Sequence, residues 1–555
     1  MASTESNKTS DLDNNVNRDP EKDPQNDRPH GLPAIPSDPH PSLLPSISYW
    51  RLLFDQSVVW PELLTTEYEG SGTEEDPYLV HWVHDDPRNP LNFSGGFKWY
   101  LTLTVAIVTL VAAFISSSYS ACLEQITKEF GVSEEVAVIG LALYVLGFGV
   151  GPCAWAPAGE LYGRQVVLFA TYGALTVFNA AAAGAPNIQS LLVFRFLAGT
   201  FAASPLTNSG GVVADLFRQE QRGLAMILFA MAPFMGPVLG PIVGGFLGQG
   251  PGWRWVEGCS AIMSGVMWII SALTVPETYA PLLLRKRADK LSKMTGKCYR
   301  SKIEVFRGGR TSARHEFSKA LVRPWALLFH EPIVLFLSVY MSIVYGTLYM
   351  LFGAFPIVYQ ELRGWNEGEG GLAFSGVIIG TVLAIFYGAL DNKRYIQKSR
   401  ALAASSSSRT SLPPEERLIP SIIGGISVPV SLFWFAWTNG PTVHWMASIA
   451  AGVPFGFGIV LIFISIKNYL VDAYTVFAAS ALAVTVIMRS CFGAAFPLFT
   501  TYMYHGLGVH WASTLVAFLS LACLPIPFVF WKVGASLRKR CRYAAEAEAM
   551  LKQLN

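Results

Sequence analysis

Charged residues are scarce in this chain of 555 residues: they make up 14% of it, whereas hydrophobic residues make up 52%. An ordinary soluble protein has about a quarter of its residues charged. The deficit excludes an ordinary soluble globular fold, because most of the chain cannot face water. Runs of about 20 apolar residues are long enough to cross a bilayer as helices, and the sequence contains twelve such runs.

The twelve runs form two groups of six. A longer polar break at 276–330 separates the sixth run from the seventh. The sequence therefore predicts an all-α membrane protein with twelve transmembrane helices. The predicted spans are roughly 98–118, 136–156, 166–184, 189–214, 223–247, 254–275, 331–354, 370–390, 418–437, 442–465, 475–501 and 509–533.

The polar segments around these runs divide the chain into five parts. Segments with too few apolar residues to build a core remain disordered, and the N-terminal region has this composition. We expect a disordered cytosolic N-terminal region over 1–90, a six-helix bundle over 91–275, a cytosolic linker over 276–330, a second six-helix bundle over 331–534 and a cytosolic tail over 535–555.

Motifs for bond-breaking chemistry are absent from the sequence. A phosphate-binding loop needs a glycine five residues before its Gly-Lys pair, and Leu291 occupies that place before Gly296-Lys297. The seven cysteines lack the spacing of a zinc site or a disulfide framework, and His81 and His84 have no further metal ligands nearby. We therefore expect no enzyme activity, no ATP hydrolysis, no cofactor and no metal.

Lysine and arginine are concentrated on one side of the predicted spans. They cluster in the linker at 285–300, after span eight at 393–400 and near the C-terminus at 538–542, whereas the loop at 124–135 is largely acidic. Basic loops mark the cytosolic side of a membrane. The pattern predicts that both termini and the linker are cytosolic, and beside a membrane it indicates orientation rather than nucleic-acid binding.

Ionisable side chains inside the predicted spans are candidates for proton coupling. Arg195 lies in span four, Arg489 near the centre of span eleven and Glu257 just inside span six. A charge at the centre of a bilayer costs at least about 2.5–3.5 kcal/mol and usually marks a polar pathway or a buried pair. A structural ion pair or a set of backbone carbonyls is the alternative role for each. Buried charges without an ATP-binding motif are typical of a secondary transporter driven by an ion gradient.

Span five carries prolines and glycines in two regular stripes. Proline has no N–H group, so it opens the hydrogen-bond ladder along one side and bends the helix. Glycines four apart allow a neighbouring helix to come close. The sequence predicts a bent helix with a smooth contact face, for which tight packing alone is the alternative. The stripes are Pro233, Pro237 and Pro241, and Gly236, Gly240 and Gly244.

Five motifs, in order along the chain, resemble those of one transporter family. "GPVLGPIVGG" (236–245) resembles the antiporter signature on the fifth helix of the fungal twelve-helix drug:proton antiporters of the major facilitator superfamily. "APAGELYGRQ" (156–165) is similar to the loop signature after the second helix, and "RFLAGTFAA" (195–203) to the arginine signature of the fourth. "DPRNPLNF" (86–93) and "PETYAP" (276–281) are similar to motifs of the fungal branch.

The resemblance implies a fold and roles for individual residues. It implies two pseudo-symmetric six-helix bundles with a central cavity between them, and it links Arg195 to proton transfer. It also implies a cytosolic latch that pairs in the outward-facing state, and an antiporter helix that seals the bundles against proton leak. The latch residues are Glu160, Gly163, Arg164 and Asp215, and those of the antiporter helix are Pro233, Gly236, Pro237, Gly240, Pro241, Gly244 and Gly245.

The family implies a proton-coupled efflux transporter that exports a small organic, toxic or secondary-metabolite-like compound by alternating access. We expect spans one, four, five, seven, eight, ten and eleven to line the cavity, with Thr207, Asn208, Tyr345 and Tyr349 as substrate-binding candidates. These side chains favour a neutral or weakly charged, partly aromatic substrate. A gradient-independent facilitator for a nutrient and a polyamine exporter are the alternatives.

The predicted partners are a small-molecule substrate, protons and the lipid bilayer. We expect a multi-pass monomer in the plasma membrane, with the vacuolar membrane as the alternative location.

Overall fold

The structure of the protein is a computed structural model that describes residues 47–218, 221–306, 309, 312–405 and 412–547. Helices make up nearly all the regular structure of these residues. They are, with the two strands, α1 (Tyr49–Phe54), α2 (Pro61–Thr65), β1 (Tyr78–Val80), α3 (Gly95–Ser118), α4 (Leu123–Phe130), α5 (Glu134–Tyr162), α6 (Arg164–Ala183), α7 (Ile188–Leu216), α8 (Arg222–Gln249), α9 (Trp253–Thr274), α10 (Ala280–Thr295), β2 (Tyr299–Ser301), α11 (Lys302–Phe306), α12 (Ala313–His330), α13 (Pro332–Phe355), α14 (Glu367–Leu372), α15 (Ser375–Ser405), α16 (Ile419–Thr438), α17 (Trp445–Ala450), α18 (Gly452–Tyr474), α19 (Ala478–Cys523) and α20 (Pro525–Arg540).

Eleven helical segments in this part of the chain are long and apolar enough to cross a membrane, and the last of them covers 63 residues, Ala478–Arg540. At 1.5 Å per residue that segment is about 95 Å long, against about 30 Å for the hydrocarbon core of a bilayer. Gly508 interrupts it, with a φ of 77° and a ψ of 155° that lie outside the helical region. The segment therefore holds two spans, and the predicted twelve-helix membrane fold is confirmed.

We number the spans in chain order. Spans one to six are α3 and α5 to α9. Spans seven to ten are α13, α14 together with α15, α16 and α18. Spans eleven and twelve are the parts of α19 before and after Gly508, and α20 continues span twelve.

The two halves of the chain pack in the same way. In the first half the main helix pairs are spans one and five, two and four, three and four, and three and six. In the second half they are spans seven and eleven, eight and ten, nine and ten, and nine and twelve. The halves meet where span two packs on span eleven and where span five packs on span eight. Each pair has its counterpart six spans away, which is the pattern of an approximate two-fold repeat.

Connections between spans lie at two opposite ends of the bundles, which we call the linker face and the far face. At the linker face, Arg285 of the linker donates to the carbonyl of Leu161 at the end of span two, at 3.0 Å. At the far face, Gln125 of α4 donates to the carbonyl of Gly248 at the end of span five, also at 3.0 Å. The linker and the 119–135 loop thus lie at opposite ends of span two.

Residues 47–92 and 276–306 fold together at the linker face into a small unit, which we call the linker cap. The two strands pair in parallel, and Arg287 lies 4.9 and 5.0 Å from the ring centres of Trp60 and Trp82. Arg287 also pairs with Asp86 at 2.5 Å. Apolar side chains of both segments form one buried cluster.

The linker cap differs from the predicted disorder over 1–90, because 47–92 is ordered here. The few apolar side chains of this segment are buried by the linker, which is distant in sequence, and composition alone does not reveal such a partner. Residues 1–46 lie outside the described residues.

One predicted boundary also differs from the structure: the last helix continues past residue 534 to Arg540. Arg538 in this extension pairs with Glu415 at 2.8 Å. Hydropathy misses these helical turns because their charged side chains lie beyond the apolar part of the bundles. The segment 276–330 lies between spans six and seven as predicted and holds the helices α10, α11 and α12.

Candidate functional site

Arg195 lies in the interior of the first bundle and is completely buried. Its guanidinium donates to the carbonyls of Ile115 and Ser116 on span one, at 3.1 and 3.2 Å. It also lies 4.6 and 4.5 Å from the ring centres of Tyr119 and Tyr144. The carbonyls of the last helical turn lack partners within their own helix, so the end of span one supplies the acceptors that Arg195 needs.

Glu257 of span six completes this site. Its Oε1 accepts from the Nη1 of Arg195 at 3.2 Å, and both side chains are buried. Its Oε2 is buried as well and has no hydrogen-bond partner among the described residues. The carboxyl group can therefore hold a proton on Oε2 while Oε1 stays beside Arg195.

Aromatic side chains gather where the two bundles meet. The hydroxyl of Tyr349 on span seven lies 2.9 Å from the Oγ of Ser116 on span one, and the rings of Phe234 on span five and Phe463 on span ten have centres 4.9 Å apart. The ring of Tyr345 is 5.0 Å from that of Tyr349 and 5.9 Å from that of Phe463. We call Phe234, Tyr345, Tyr349 and Phe463 the central aromatic cluster.

Arg489 of span eleven lies against this cluster, with its guanidinium 5.0 Å from the ring centre of Tyr345 and 5.7 Å from that of Phe463. The three proton-coupling candidates thus occupy two places, since Arg195 and Glu257 are inside the first bundle. Ser116 connects the two places, because its carbonyl accepts from Arg195 and its hydroxyl meets Tyr349.

The other two substrate-binding candidates make their hydrogen bonds inside the first bundle. Asn208 is buried and donates to the carbonyl of Trp155 on span two and to the Oγ of Ser204 on its own helix, at 3.1 and 3.2 Å. Thr207 donates to the carbonyl of Ala203 one turn earlier. The structure therefore brings Tyr345 and Tyr349 to the bundle interface, whereas these bonds hold Asn208 against span two.

The predicted latch pairs Arg164, the first residue of span three, with Asp215 near the end of span four. The Nε of Arg164 lies 2.7 Å from the Oδ2 of Asp215, and both side chains are largely buried. Glu160 is exposed in the last turn of span two. The latch ion pair lies at the linker face, within a single bundle.

Gly163 is required by both the conformation and the space at the start of span three. Its φ is 99°, and a Cβ atom there would overlap the carboxylate of Glu277. That carboxylate accepts from the backbone N–H groups of Arg164 and Gln165, each at 3.1 Å. Glu277 of the "PETYAP" motif therefore caps the N-terminus of span three, where a negative charge is favourable.

The second bundle has a matching ion pair. Arg417, directly before span nine, lies 2.9 Å from Asp472 near the end of span ten. These positions correspond to Arg164 and Asp215 in the first half. In the segment "GALDNKR" (388–394) of α15, Arg394 pairs with Asp391 at 3.0 Å. The repeat therefore extends to the charges at the linker face.

The glycine stripe of span five packs against span one, inside the first bundle. A Cβ atom on Gly236 would lie 2.5 Å from the carbonyl oxygen of Leu110, and one on Gly240 would lie 2.7 Å from the amide nitrogen of Ser118. A Cβ atom on Gly244 would lie 2.6 Å from the carbonyl oxygen of Ser118. The expected seal between bundles does not involve these three glycines, because their side of the helix faces span one.

Span one also compensates for the prolines. Pro241 has no N–H group to donate to the carbonyl of Pro237, and the hydroxyl of Ser117 donates to that carbonyl instead, at 2.7 Å. Pro233, Pro237 and Pro241 all lie inside the continuous helix.

The contact between the bundles uses a different part of span five. A Cβ atom on Gly245 would lie 3.1 Å from the Cα of Gly368 and would overlap the carbonyl of Glu367. From the other side, a Cβ atom on Gly371 would lie 2.5 Å from the carbonyl oxygen of Pro241. Spans five and eight thus meet backbone to backbone near the far face.

Comparison with known proteins identifies the family. A family model described as Major Facilitator Superfamily matches residues 105–497. The chain belongs to the major facilitator superfamily. It is 58% identical over 513 residues to the "MFS-type efflux pump MFS2" of Trichophyton rubrum, an alignment that covers 92% of this chain and 85% of that protein. It is 55% identical over 513 residues to the "Major facilitator superfamily multidrug transporter mdrA" of Aspergillus fumigatus, covering 92% and 83% of the two chains.

The fold is also that of solved major facilitator structures. A structure of the proton:xylose symporter XylE matches with a TM-score of 0.55 and 14% identity, over 79% of this chain and 96% of that one. Members of the superfamily are membrane transporters, which confirms the expectation that the protein is not an enzyme.

Sequence reasoning missed three residues of this major facilitator protein. The Nζ of Lys467 lies 6.0 Å from the ring centre of Phe463. This residue was missed because the predicted span ten ends at 465, whereas the helix continues to Tyr474. Ser116 is one of three consecutive serines, and only packing reveals which of them reaches Tyr349. Glu277 lies in a motif that marks the family, and its carboxylate meets span three only in the folded chain.

Proposed function

We propose that the protein is a proton-coupled efflux transporter that exports a small organic compound from the cytosol by alternating access. The observation that carries this proposal is the connection from Glu257 through Arg195 and Ser116 to Tyr349 on the second bundle. It links a carboxyl group able to hold a proton with the interface that must open and close. The names of the two relatives, an efflux pump and a multidrug transporter, support the direction of transport.

Glu257 is the proposed proton carrier. Protonation removes its charge and weakens its attraction for Arg195, which then depends more on the carbonyls of span one. The hydroxyl of Ser116 contacts Tyr349, so a shift of span one is transmitted to span seven. A ligand or proton changes a conformational equilibrium only by its differential affinity for the two states. A change of charge at a buried ion pair supplies such a difference.

The ion pairs at the linker face support the alternating part of the cycle. Arg164–Asp215 and Arg417–Asp472 hold equivalent ends of the two bundles. In the proposed cycle these pairs close while the far side is open and separate as the cavity opens to the cytosol. The concentration of basic residues at the linker face supports a cytosolic location for it, and we place the protein in the plasma membrane.

The proposal is tested by measuring export of a panel of fluorescent toxic compounds from cells, with and without a protonophore. The isosteric Glu257→Gln variant and Arg195→Ala should lose at least about tenfold in gradient-driven export, because neither retains the titratable ion pair. The matched control is Arg254→Ala, which breaks the half-exposed pair with Glu129 at the far face and should leave export unchanged.

Export by the wild type that persists without a proton gradient would contradict proton coupling and favour a facilitator. Normal gradient-driven export by correctly localised Glu257→Gln would remove Glu257 from the mechanism.

A further inference from the structure

Two cationic side chains lie against the central aromatic cluster. Arg489 on span eleven and Lys467 on span ten both lie within 6.0 Å of the ring centre of Phe463. The ring of Phe463 contacts Phe234 of the first bundle. The two cations are therefore placed where the bundles meet, rather than inside one bundle.

Arg489 lacks, among the described residues, the hydrogen-bond partners that a buried arginine normally has. Only 3% of its surface is exposed, and its Nε and Nη1 atoms have no partner among the residues that the structure describes. Arg195, which is equally buried, donates to three carbonyls and to a carboxylate. This difference leaves the Nε and Nη1 donors of Arg489 available to an acceptor on a bound molecule.

Charge compensation from the residues that the structure describes is also missing around buried Arg489 and half-buried Lys467. Within the described residues, no aspartate or glutamate lies within ion-pair distance of Arg489 or Lys467, although Arg195, Arg164 and Arg417 each have such a partner. Buried charges are normally paired, because an unpaired charge loses its hydration without compensation. The rings that flank the two cations contribute a cation–π attraction, which leaves the net positive charge in place.

From these contacts we infer that the substrate is an aromatic organic anion, with a carboxylate held by Arg489 and Lys467 and a ring packed against the central aromatic cluster. A guanidinium matches a carboxylate in two parallel hydrogen bonds, from Nη1 and Nη2 at its end or from Nε and Nη2 at its side. A bound carboxylate would therefore satisfy either Nη1 or Nε of Arg489. The inference rests on the proposed function and names its substrate class, in place of the neutral compound expected from sequence.

The test uses three probes that share one ring and differ in charge: 1-naphthoate, 1-naphthamide and 1-naphthylmethylammonium. Binding to the purified full-length protein in detergent is followed by intrinsic tryptophan fluorescence and by thermal shift. We expect naphthoate to bind at least about tenfold more tightly than naphthamide, and the ammonium compound to bind most weakly. Arg489→Gln should weaken naphthoate binding by about ten- to a hundredfold and change naphthamide binding by less than about threefold.

Further variants keep the test decisive if Arg489→Gln does not fold. Lys467→Gln should weaken naphthoate binding selectively, and Arg489→Lys should retain part of it because the charge remains. The matched control is Lys532→Gln, since Lys532 also lies over a ring, that of Phe528 at 4.7 Å, but is exposed on span twelve. That variant should bind all three probes as the wild type does.

Three results would overturn the inference: no binding of naphthoate, equally tight binding of naphthamide or the ammonium compound, or an unchanged preference for naphthoate in the folded variants. Gradient-driven export of a neutral compound together with any of these results would leave the proposed function intact and reject only the substrate class. Selective naphthoate binding without gradient-driven export would support the substrate class and contradict the proposed function.

Discussion

Gly245 and Gly240 on span five provide a matched pair of substitutions, because one faces the other bundle and the other faces its own. In Gly245→Ala the new methyl group would lie 2.9 Å from the carbonyl carbon of Glu367 and 3.1 Å from the Cα of Gly368, both in the second bundle. In Gly240→Ala it would lie 2.7 Å from the nitrogen of Ser118 and 2.9 Å from the carbonyl oxygen of Phe114, both on span one. All four atoms belong to the backbone, which cannot move aside as a flexible side chain does.

The expected effects differ in kind. Contacts between such atoms normally lie at about 3.5–4.0 Å, so each methyl group forces two helices apart by roughly 0.5–1 Å, and overpacking of this kind costs about 1–3 kcal/mol. For Gly240→Ala we expect that cost in every conformation, because spans one and five belong to one bundle. For Gly245→Ala we expect it only while the far face is closed. The equilibrium should then shift toward opening at the far face by about 5- to 150-fold.

A native cysteine reports this opening. The Sγ of Cys122 is buried beside Gly248, and the carboxylate of Glu367 in the second bundle lies beside the same glycine. We expect alkylation of Cys122 by a maleimide, followed by peptide mass spectrometry on the detergent-solubilised protein, to accelerate in Gly245→Ala. In Gly240→Ala we expect a lower melting temperature and an unchanged alkylation rate below it. Equal alkylation rates in Gly245→Ala and the wild type, with a lower melting temperature, would refute a conformational role for the contact and leave it as packing.

Three further predictions concern contacts of the site and the linker face. Tyr349→Phe removes the buried bond to Ser116 and should lower the free energy of unfolding by about 1 kcal/mol, measurable as a lower thermal midpoint; an unchanged midpoint would contradict the bond. Asp215→Asn should weaken the ion pair with Arg164 and destabilise the latched state by about 1.5–3 kcal/mol. Gradient-driven export should then fall, and export at the wild-type rate would argue against a latch. Burial, together with the charge of Glu331, raises the pKa of Cys541 to about 12. At pH 8 this thiol should therefore react with N-ethylmaleimide roughly a thousandfold more slowly than free cysteine. Equal reaction rates would contradict its burial.

The sequence alone determined the class of protein and its twelve spans, because both depend on local hydropathy. It also located the buried charges: an ionisable residue within an apolar run such as that of Arg195 or Arg489 is visible without a structure. The proline and glycine stripes of span five were equally visible, since their spacing of four matches the turn of a helix.

Tertiary structure decided what those residues contact. The three glycines of the stripe face span one, while Gly245, one position away, faces span eight. Arg195 pairs with the carboxylate of Glu257, whereas no carboxylate in the described part of the chain pairs with Arg489. In the sequence each appears simply as an arginine in an apolar span. Periodicity fixes which residues share a side of a helix, whereas the helix that covers that side is chosen by packing between segments distant in sequence. The linker cap illustrates the same limit, because the order of residues 47–92 depends on a partner segment that local composition cannot indicate.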